Sequence, residues 1–366
     1  MKVALVHEWL TVPAGSEEVF AQMCDLYPDG TIFTCIADPE RCKFLKGRDV
    51  RTSFLQRFPF AQSRHQLMAP FGPAAYRSLD LSGFDLVLSS SHSFAHGVRK
   101  APGALHICYY HTPARSLWVP EIDPRASKTW LHRWIANRLR PLDLEASKQP
   151  DYPLANSKTT AERIKRFYGR DVYRVVYPPV KTKQWLDVER ASEDEGYLYW
   201  GRLIEYKRVD LLIEAARATG SKLNIVGAGP QEAALHAMAA GLPNVVFHGR
   251  LPDSDLKALM GRSRAVLFAA YEDFGIVPVE AMAAGLPVVT YAVGGAAESV
   301  LPEFGVHFHE QTVGALVEAM RSLDGRTFDP SAMRAHAVQY DEAVFRRTYV
   351  ETVDELWAKH QASGRP

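Results

Sequence analysis

Two carboxylates eight positions apart, Glu272 and Glu280, bracket the stretch YEDFGIVPVEAMAAGLPVV at residues 271–289. The run AVLFAAY leading into it is continuously apolar, the pattern of a buried strand, so Glu272 falls just past a strand's carboxyl end. Phe274-Gly275 makes a turn where backbone can approach a ligand closely. Pro278 suits an early helical position, and the helix should stop at Gly285, two residues before Pro287. The backbone N–H groups near Gly275 and Ile276 then stand at a helix N-terminus, a ready seat for phosphate. Glu280 lies on the first turn or just past it, beside that seat. A carboxylate accepts from both hydroxyls of a vicinal diol, as acidic residues do for ribose in dinucleotide folds. On this reading Glu280 holds a ribose, Glu272 a sugar, and a diphosphate lies between them. Taken alone, either acid reads more simply as a loop acid or a favourable charge near a helix N-terminus. Strand, turn and helix in that order favour ligand binding.

Two further stretches would serve the same ligand. GRLIEYKR (201–208) follows a strand end and offers Arg202 and Lys207, cations that neutralise a diphosphate and stabilise charge growing on a leaving phosphate oxygen. TVPAGSEE (11–18) also links a strand to a helix, and Gly15 and Ser16 near that helix start could add N–H donors. IVGAGP (225–230) lacks full G-x-G-x-x-G spacing, which argues against a nicotinamide dehydrogenase. Asp253-Ser254-Asp255 matches a metal-holding D-x-D, but it precedes an amphipathic helix and reads as capping by Asp253 or Ser254. Ser89-Ser90-Ser91-His92 lacks the G-x-S-x-G elbow of a nucleophile and reads as a strand-end turn facing an acceptor. His92 and His96 have no third ligand nearby in sequence, so no metal is expected there. Asn156-Ser157 could line a cleft or cap the following helix.

The elements that must position these residues are strands alternating with helices. Strand patterns read at KVALVHEW, GTIFTCI, DLVLSSS, ALHICYYH, YPLANS and YRVVYPP in the first half, and at GYLYWGR, KLNIVGA, NVVFHGR, AVLFAAY, PVVTYAV and GVHFH in the second. Apolar strands separated by helices indicate parallel sheets covered on both faces. A length of 366 residues allows two such domains, and Pro178-Pro179 is the natural break. The tail YDEAVFRRTYVETVDELWAKH reads as one long amphipathic helix. Two doubly wound α/β domains facing each other would make a cleft at the carboxyl ends of their strands.

Residues 1–180 carry 24 Lys and Arg against 17 Asp and Glu, and the remainder 19 against 25. The basic half contains SFLQRFPFAQSRHQLMAPFGPAAYR (53–77) and WLHRWIANRLRPL (130–142), which mix Arg with Trp, Phe and Leu as segments at anionic membrane interfaces do. Ordinary helices with snorkelling arginines give the same composition. A near-zero overall charge and no reader motif exclude nucleic acid. The four cysteines form no C-x-x-C pair and read as free thiols of a reducing compartment. The N-terminus opens straight into a strand, with no signal peptide.

These motifs together resemble the retaining GT-B glycosyltransferases of the group-1 type, family 4, over essentially the whole length. Glu272-DFGIVPV-Glu280 is similar to the family's E-x7-E, and GRLIEYKR to its G-R-L-x-x-x-K-G, with Arg208 in place of the usual Gly. VVFHGRLPDSDL, AAGLPVV and VGG (293–295) follow in family order. DLSGFDLVLSSSHSFAHGV and YYHTPARSLW resemble a mannosyltransferase branch of bacterial surface-polysaccharide and O-antigen assembly. The N-terminal turn departs from the usual Gly-Gly pair, reading Pro13-Ala14-Gly15-Ser16-Glu17.

The resemblance implies a GT-B fold of two facing Rossmann-like domains. Residues 1–178 would bind the acceptor, with the C-terminal helix 341–366 crossing back onto them, and 179–340 the nucleotide-sugar donor. It implies that Glu272 and the backbone of Phe274, Gly275 and Ile276 hold sugar and phosphate, Glu280 the ribose, and Arg202 and Lys207 the diphosphate. His111 would contact the transferred sugar, and backbone near Arg250-Leu251 the base. The expected reaction moves a hexose, mannose from GDP-mannose, to a lipid-linked saccharide, with no metal or other cofactor. The expected location is the cytoplasm, in contact with the inner face of the cytoplasmic membrane. The rivals are a glucosyl- or galactosyltransferase using a UDP-sugar, an epimerase, and a non-catalytic sugar-nucleotide-binding subunit.

Overall fold

The apolar runs become two all-parallel sheets. β1 (Val3–His7), β2 (Thr31–Thr34), β3 (Val50–Thr52), β4 (Leu86–Ser91), β5 (Leu105–Tyr110), β6 (Tyr152–Ala155) and β7 (Arg174–Val175) pair in the order β3-β2-β1-β4-β5-β6-β7. β8 (Tyr197–Trp200), β9 (Leu223–Val226), β10 (Val245–Gly249), β11 (Ala265–Phe268), β12 (Val288–Tyr291) and β13 (Gly305–Phe308) pair in the order β10-β9-β8-β11-β12-β13. The computed structural model describes residues 1–119, 129–191 and 193–364. The chain forms two compact units, one of Met1–Pro178 with Phe345–Pro366 and one of Pro179–Val344.

Within each unit both faces of the sheet are covered, as parallel sheets require. In β1 and β4, Leu5, Leu86 and Leu88 face a core with Phe20, Met23, Tyr349 and Val353. The alternate residues Ala4, Val6 and Val87 face a second core with Phe33, Tyr76 and Leu139. The helix Glu342–Ala362 buries Phe345, Tyr349, Val353 and Leu356, and its Thr352 and Glu355 accept hydrogen bonds from Arg174 at 2.8 and 2.9 Å. In the second unit the helix Val209–Thr219 buries Leu211, Leu212, Ala215 and Ala216 and ends at left-handed Gly220.

Several expectations change in detail. β3 was not anticipated, because a three-residue edge strand reading Val-Arg-Thr carries too little apolar signal. The run YRVVYPP pairs only at Arg174–Val175, since the two prolines that follow cannot extend a ladder. Ser89, Ser90 and Ser91 are the buried end of β4, not a turn. The helix Asp253–Arg262 is capped by neither Asp253 nor Ser254: Pro252, in an extended conformation, is its N-cap without a side-chain bond. Asp253 instead accepts from Gln184 Nε2 at 2.7 Å. Ser157 does cap the helix Lys158–Tyr168, accepting from Thr160 N at 3.0 Å. All four cysteines are free and buried. No helix among the described residues is long and apolar enough to cross a membrane.

Candidate active site

In the second sheet, strand order runs outward in opposite directions from the neighbours β8 and β11. The crevice past their carboxyl ends is the switch point where open α/β sheets take ligands. Lys207 follows β8, and Glu272 follows β11. The Lys207 ammonium forms an ion pair with the Glu272 carboxylate, and only 12% and 13% of the two side chains is exposed. The ammonium also lies 5.6 and 5.5 Å from the ring centroids of Tyr206 and Phe268, whose faces favour a cation. Tyr199 donates to the backbone oxygen of Arg202 at 3.0 Å and so fixes the turn that carries both cations.

The chain reverses after Glu272 at Gly275, which has φ 87° and forms the N-cap of the helix Ile276–Ala283. A Cβ at Gly275 would be strained and would sit 3.1 Å from Ala296 Cβ. The backbone of Glu272 is pinned from the other side, its oxygen accepting from Gly295 N at 2.8 Å. Glu280 accepts from the indole Nε1 of Trp200 at 3.1 Å. Trp200 is the last residue of β8, so the ribose candidate is aimed by the strand that leads to Arg202 and Lys207.

The fold thus brings Lys207, Glu272, Gly275, Ile276 and Glu280 to one crevice, with Phe274 buried beneath it. The side chains of Arg202 and Arg250 are exposed, and neither joins the Lys207–Glu272 pair among the described residues. Arg250 and Leu251 follow β10, two strands away from β8 in the sheet. The turn IVGAGP is closely packed: a Cβ at Gly227 would lie 1.9 Å from Gly201 O. Trp200 escaped the sequence reading because the last apolar residue of a strand looks like core, and nothing local marks its indole as a donor to a residue 80 positions on.

The first unit has its own cluster of polar groups. Each of the three serines ending β4 meets a histidine: Ser89 with His106 at 2.8 Å, Ser90 with His111 at 2.8 Å, and Ser91 with His96 at 3.1 Å. Burial, followed by the nearby His7 and His92, pushes the His111 imidazole well below its usual pKa, so it acts as a neutral ring. Gly15 is the first, exposed residue of the helix Gly15–Leu26. Glu8 accepts from the backbone N of Ser93 and Ala95, both at 2.9 Å, and so holds the loop after β4. Asp143 accepts from Trp118 Nε1 at 2.6 Å and Tyr168 OH at 2.7 Å, tying the helix Trp130–Ala146 to its neighbours. No acid or third ligand stands near His92 in sequence, yet the fold sets it with His7 and Glu17. His7 and Glu17 were missed, although His7 ends β1 and Glu17 opens the next helix, the placement that singled out Glu272.

Comparison with known proteins bears on the fold and the family likeness. Residues 182–327 match the family described as "Glycosyl transferases group 1", and residues 31–184 the "Glycosyltransferase Family 4". The D-rhamnosyltransferase WbpZ of Pseudomonas aeruginosa is 35% identical over 204 residues, covering 53% of either chain. The O-antigen chain mannosyltransferase C of Escherichia coli is 28% identical over 196 residues, covering 50% of this chain and 52% of that one. The chain is thus aligned with about half the length of these curated relatives. Among solved structures, Anabaena HepE in complex with UDP superposes with a TM-score of 0.70 at 20% identity, over 97% of this chain and 100% of that one. The lipopolysaccharide outer core galactosyltransferase WaaB gives 0.66 at 17% identity, over 97% and 99%. Two Rossmann-like parallel sheets with these neighbours define the GT-B fold. The two matches together make residues 31–327 similar to the group 1 and family 4 glycosyltransferases.

Proposed function

We propose that the chain is a retaining glycosyltransferase that moves a hexose, α-mannose from GDP-mannose, onto a lipid-linked saccharide in bacterial polysaccharide synthesis. The observation that carries the reading is the near-buried Lys207–Glu272 pair at the switch point of the second sheet, beside the Gly275 helix N-terminus. Apart from ligand binding, a paired lysine and glutamate at the carboxyl edge of a sheet would stabilise little. When a diphosphate enters, Lys207 exchanges Glu272 for phosphate oxygens, and Glu272 is released to accept from sugar hydroxyls. Lys207, Arg202 and the helix N–H groups then stabilise charge on the departing diphosphate, with no metal required. Glu280, oriented by Trp200, holds the ribose, and backbone at Arg250-Leu251 meets the base. The acceptor attacks the face that the leaving group vacates, with a phosphate oxygen taking its proton. The first unit is assigned the acceptor, with His111 and Gly15 as its sugar and phosphate contacts.

The mannose assignment rests on the motifs of the first unit and the likeness to an O-antigen mannosyltransferase. Membrane contact is supported by exposed aromatics among arginines: Trp130 and Trp134 beside Arg133 and Arg138, and Phe54, Phe58 and Phe60 beside Arg57 and Arg64. Work at the inner face of the cytoplasmic membrane would follow. A UDP-sugar donor is the second reading, supported by the likeness in fold to Anabaena HepE, whose structures include complexes with UDP and with UDP-glucose.

The test is a donor panel of GDP-mannose, UDP-glucose and UDP-galactose, with bacterial lipid-linked saccharides as acceptors and no added metal. GDP-mannose should be consumed, and Glu272→Ala should lower kcat/KM by about 100-fold. Turnover of a UDP-sugar instead selects the second reading. Unchanged turnover by Glu272→Ala removes that residue from the site.

A further inference from the structure

We propose that His7, Glu17 and His92 form a binding site for a first-row divalent cation of the Zn2+ class. The site lies in the first unit and does not depend on the donor reading. β1 and β4 are neighbours, and strand order runs outward from them in opposite directions, so their carboxyl ends mark the switch point of the first sheet. His7 is the last residue of β1, His92 directly follows β4, and Glu17 is in the first turn of the helix after β1.

Each of the three offers one ligand atom, and these atoms all lie within 4.8 Å of one another. His7 Nε2 and Glu17 Oε1 are 3.6 Å apart. Ligand atoms about 2.1 Å from a tetrahedral ion are about 3.4 Å from each other, so this edge already fits. As a direct hydrogen bond the same separation is too long. His7 Nε2 is in fact buried with no hydrogen-bond partner among the described residues.

The tautomer follows from the other ring nitrogen. His7 Nδ1 lies 3.1 Å from the backbone oxygen of Ser90, which can only accept, so Nδ1 carries the proton. In the neutral ring the Nε2 lone pair then faces Glu17. A backbone carbonyl behind a ligating histidine is the usual second-layer support of a metal site. The ring is further fixed by stacking on Phe20, with centroids 4.7 Å apart and planes 17° apart. Glu17 accepts from Ser16 Oγ at 3.0 Å.

Two imidazoles and one carboxylate favour Zn2+ or Co2+ over Mg2+ or Ca2+, which take oxygen ligands. Three protein ligands leave a position open to an oxygen, from water or from a hydroxyl or phosphate of a substrate. The rival is a protonated His7 paired with Glu17 and no ion.

The test uses the full chain, freed of metal by a chelator and titrated with Co2+ and then Zn2+. One equivalent of Co2+ should bind with visible absorption typical of nitrogen and oxygen ligands, be displaced by Zn2+, and be unaffected by excess Mg2+. His92→Ala and Glu17→Gln should each weaken binding by about 10- to 100-fold. His92 is half-buried at a strand end, and circular dichroism and the melt of the metal-free variants report whether each still folds. Failure of the folded wild type to bind one equivalent, or equal binding by wild type and both variants, would overturn the proposal.

Discussion

At the scale of residues, the candidate donor site is a set of charges whose partners are supplied by neighbouring strands. Glu272, Glu280 and Lys207 were legible because strand, turn and helix signals fix where a loop acid or cation must stand relative to a sheet edge. Trp200 was not legible, because its role depends on a bond between residues 80 apart in sequence. That bond carries a prediction. A hydrogen bond to a charged acceptor contributes about 1.5 kcal/mol or more. Trp200→Phe should therefore weaken nucleotide binding about tenfold while leaving the sheet intact, and Glu280→Ala should weaken it further. Isothermal titration with a nucleoside diphosphate measures both, and an unchanged affinity in Trp200→Phe would show that the indole does not position Glu280. Arg202 and Arg250 were equally prominent in sequence, yet their side chains reach into solvent, since motif spacing places a backbone but not a long side chain.

At the scale of elements, turns rather than strands decide the site. All six strands of the second sheet were readable from apolar runs, and the first sheet lost only its short edge strand β3. The turn chemistry was less transparent. Arg208 adopts a left-handed conformation, φ 55° and ψ 40°, just before the helix Val209–Thr219. Its guanidinium bonds Asp210 at 3.2 Å and Gln311 at 3.3 Å, contacts that hold an unfavourable backbone in place. Two variants separate these terms. Arg208→Ala loses the side-chain bonds and keeps the strain, whereas Arg208→Gly loses both. Denaturant titration should find Arg208→Gly more stable than Arg208→Ala by about 1 kcal/mol. The reverse order would mean that the backbone there is not strained. Gly227 offers a harsher probe: with Gly201 O 1.9 Å from the position of a Cβ, Gly227→Ala should abolish folding of the second unit, read as loss of soluble protein.

At the scale of the whole molecule, the two units differ in charge and in what they bury. The basic first unit encloses a line of histidines against β4. His106 is fully buried, bonded to Ser89 through Nε2, with Asp151, Lys100, His96 and Arg170 around it. Burial lowers its pKa from 6.5 to about 3, against the smaller opposing effect of Asp151. Because the folded value is depressed, the stability gained by keeping this ring neutral is complete above pH 6.5 and is lost as pH falls from there towards 3. Each pH unit in that window costs about 1.4 kcal/mol, so about 2 kcal/mol is gone at pH 5. Replacing the ring by His106→Gln should shrink the stability difference between pH 7 and pH 5 by that amount, measured by denaturant unfolding at the two values. An unchanged difference would place the acid sensitivity in other groups.

The central claim is that the switch point of the second sheet binds a nucleotide-diphosphate sugar. Thermal stabilisation by nucleotides without added metal tests it most directly. A ligand at 100 times its Kd adds about 2.7 kcal/mol to the stability of the state that binds it. GDP and GDP-mannose should raise the Tm of the wild-type chain, and Glu280→Ala should lose the rise. No shift with any guanine or uridine diphosphate or its sugar, or an equal shift in Glu280→Ala, would contradict the account.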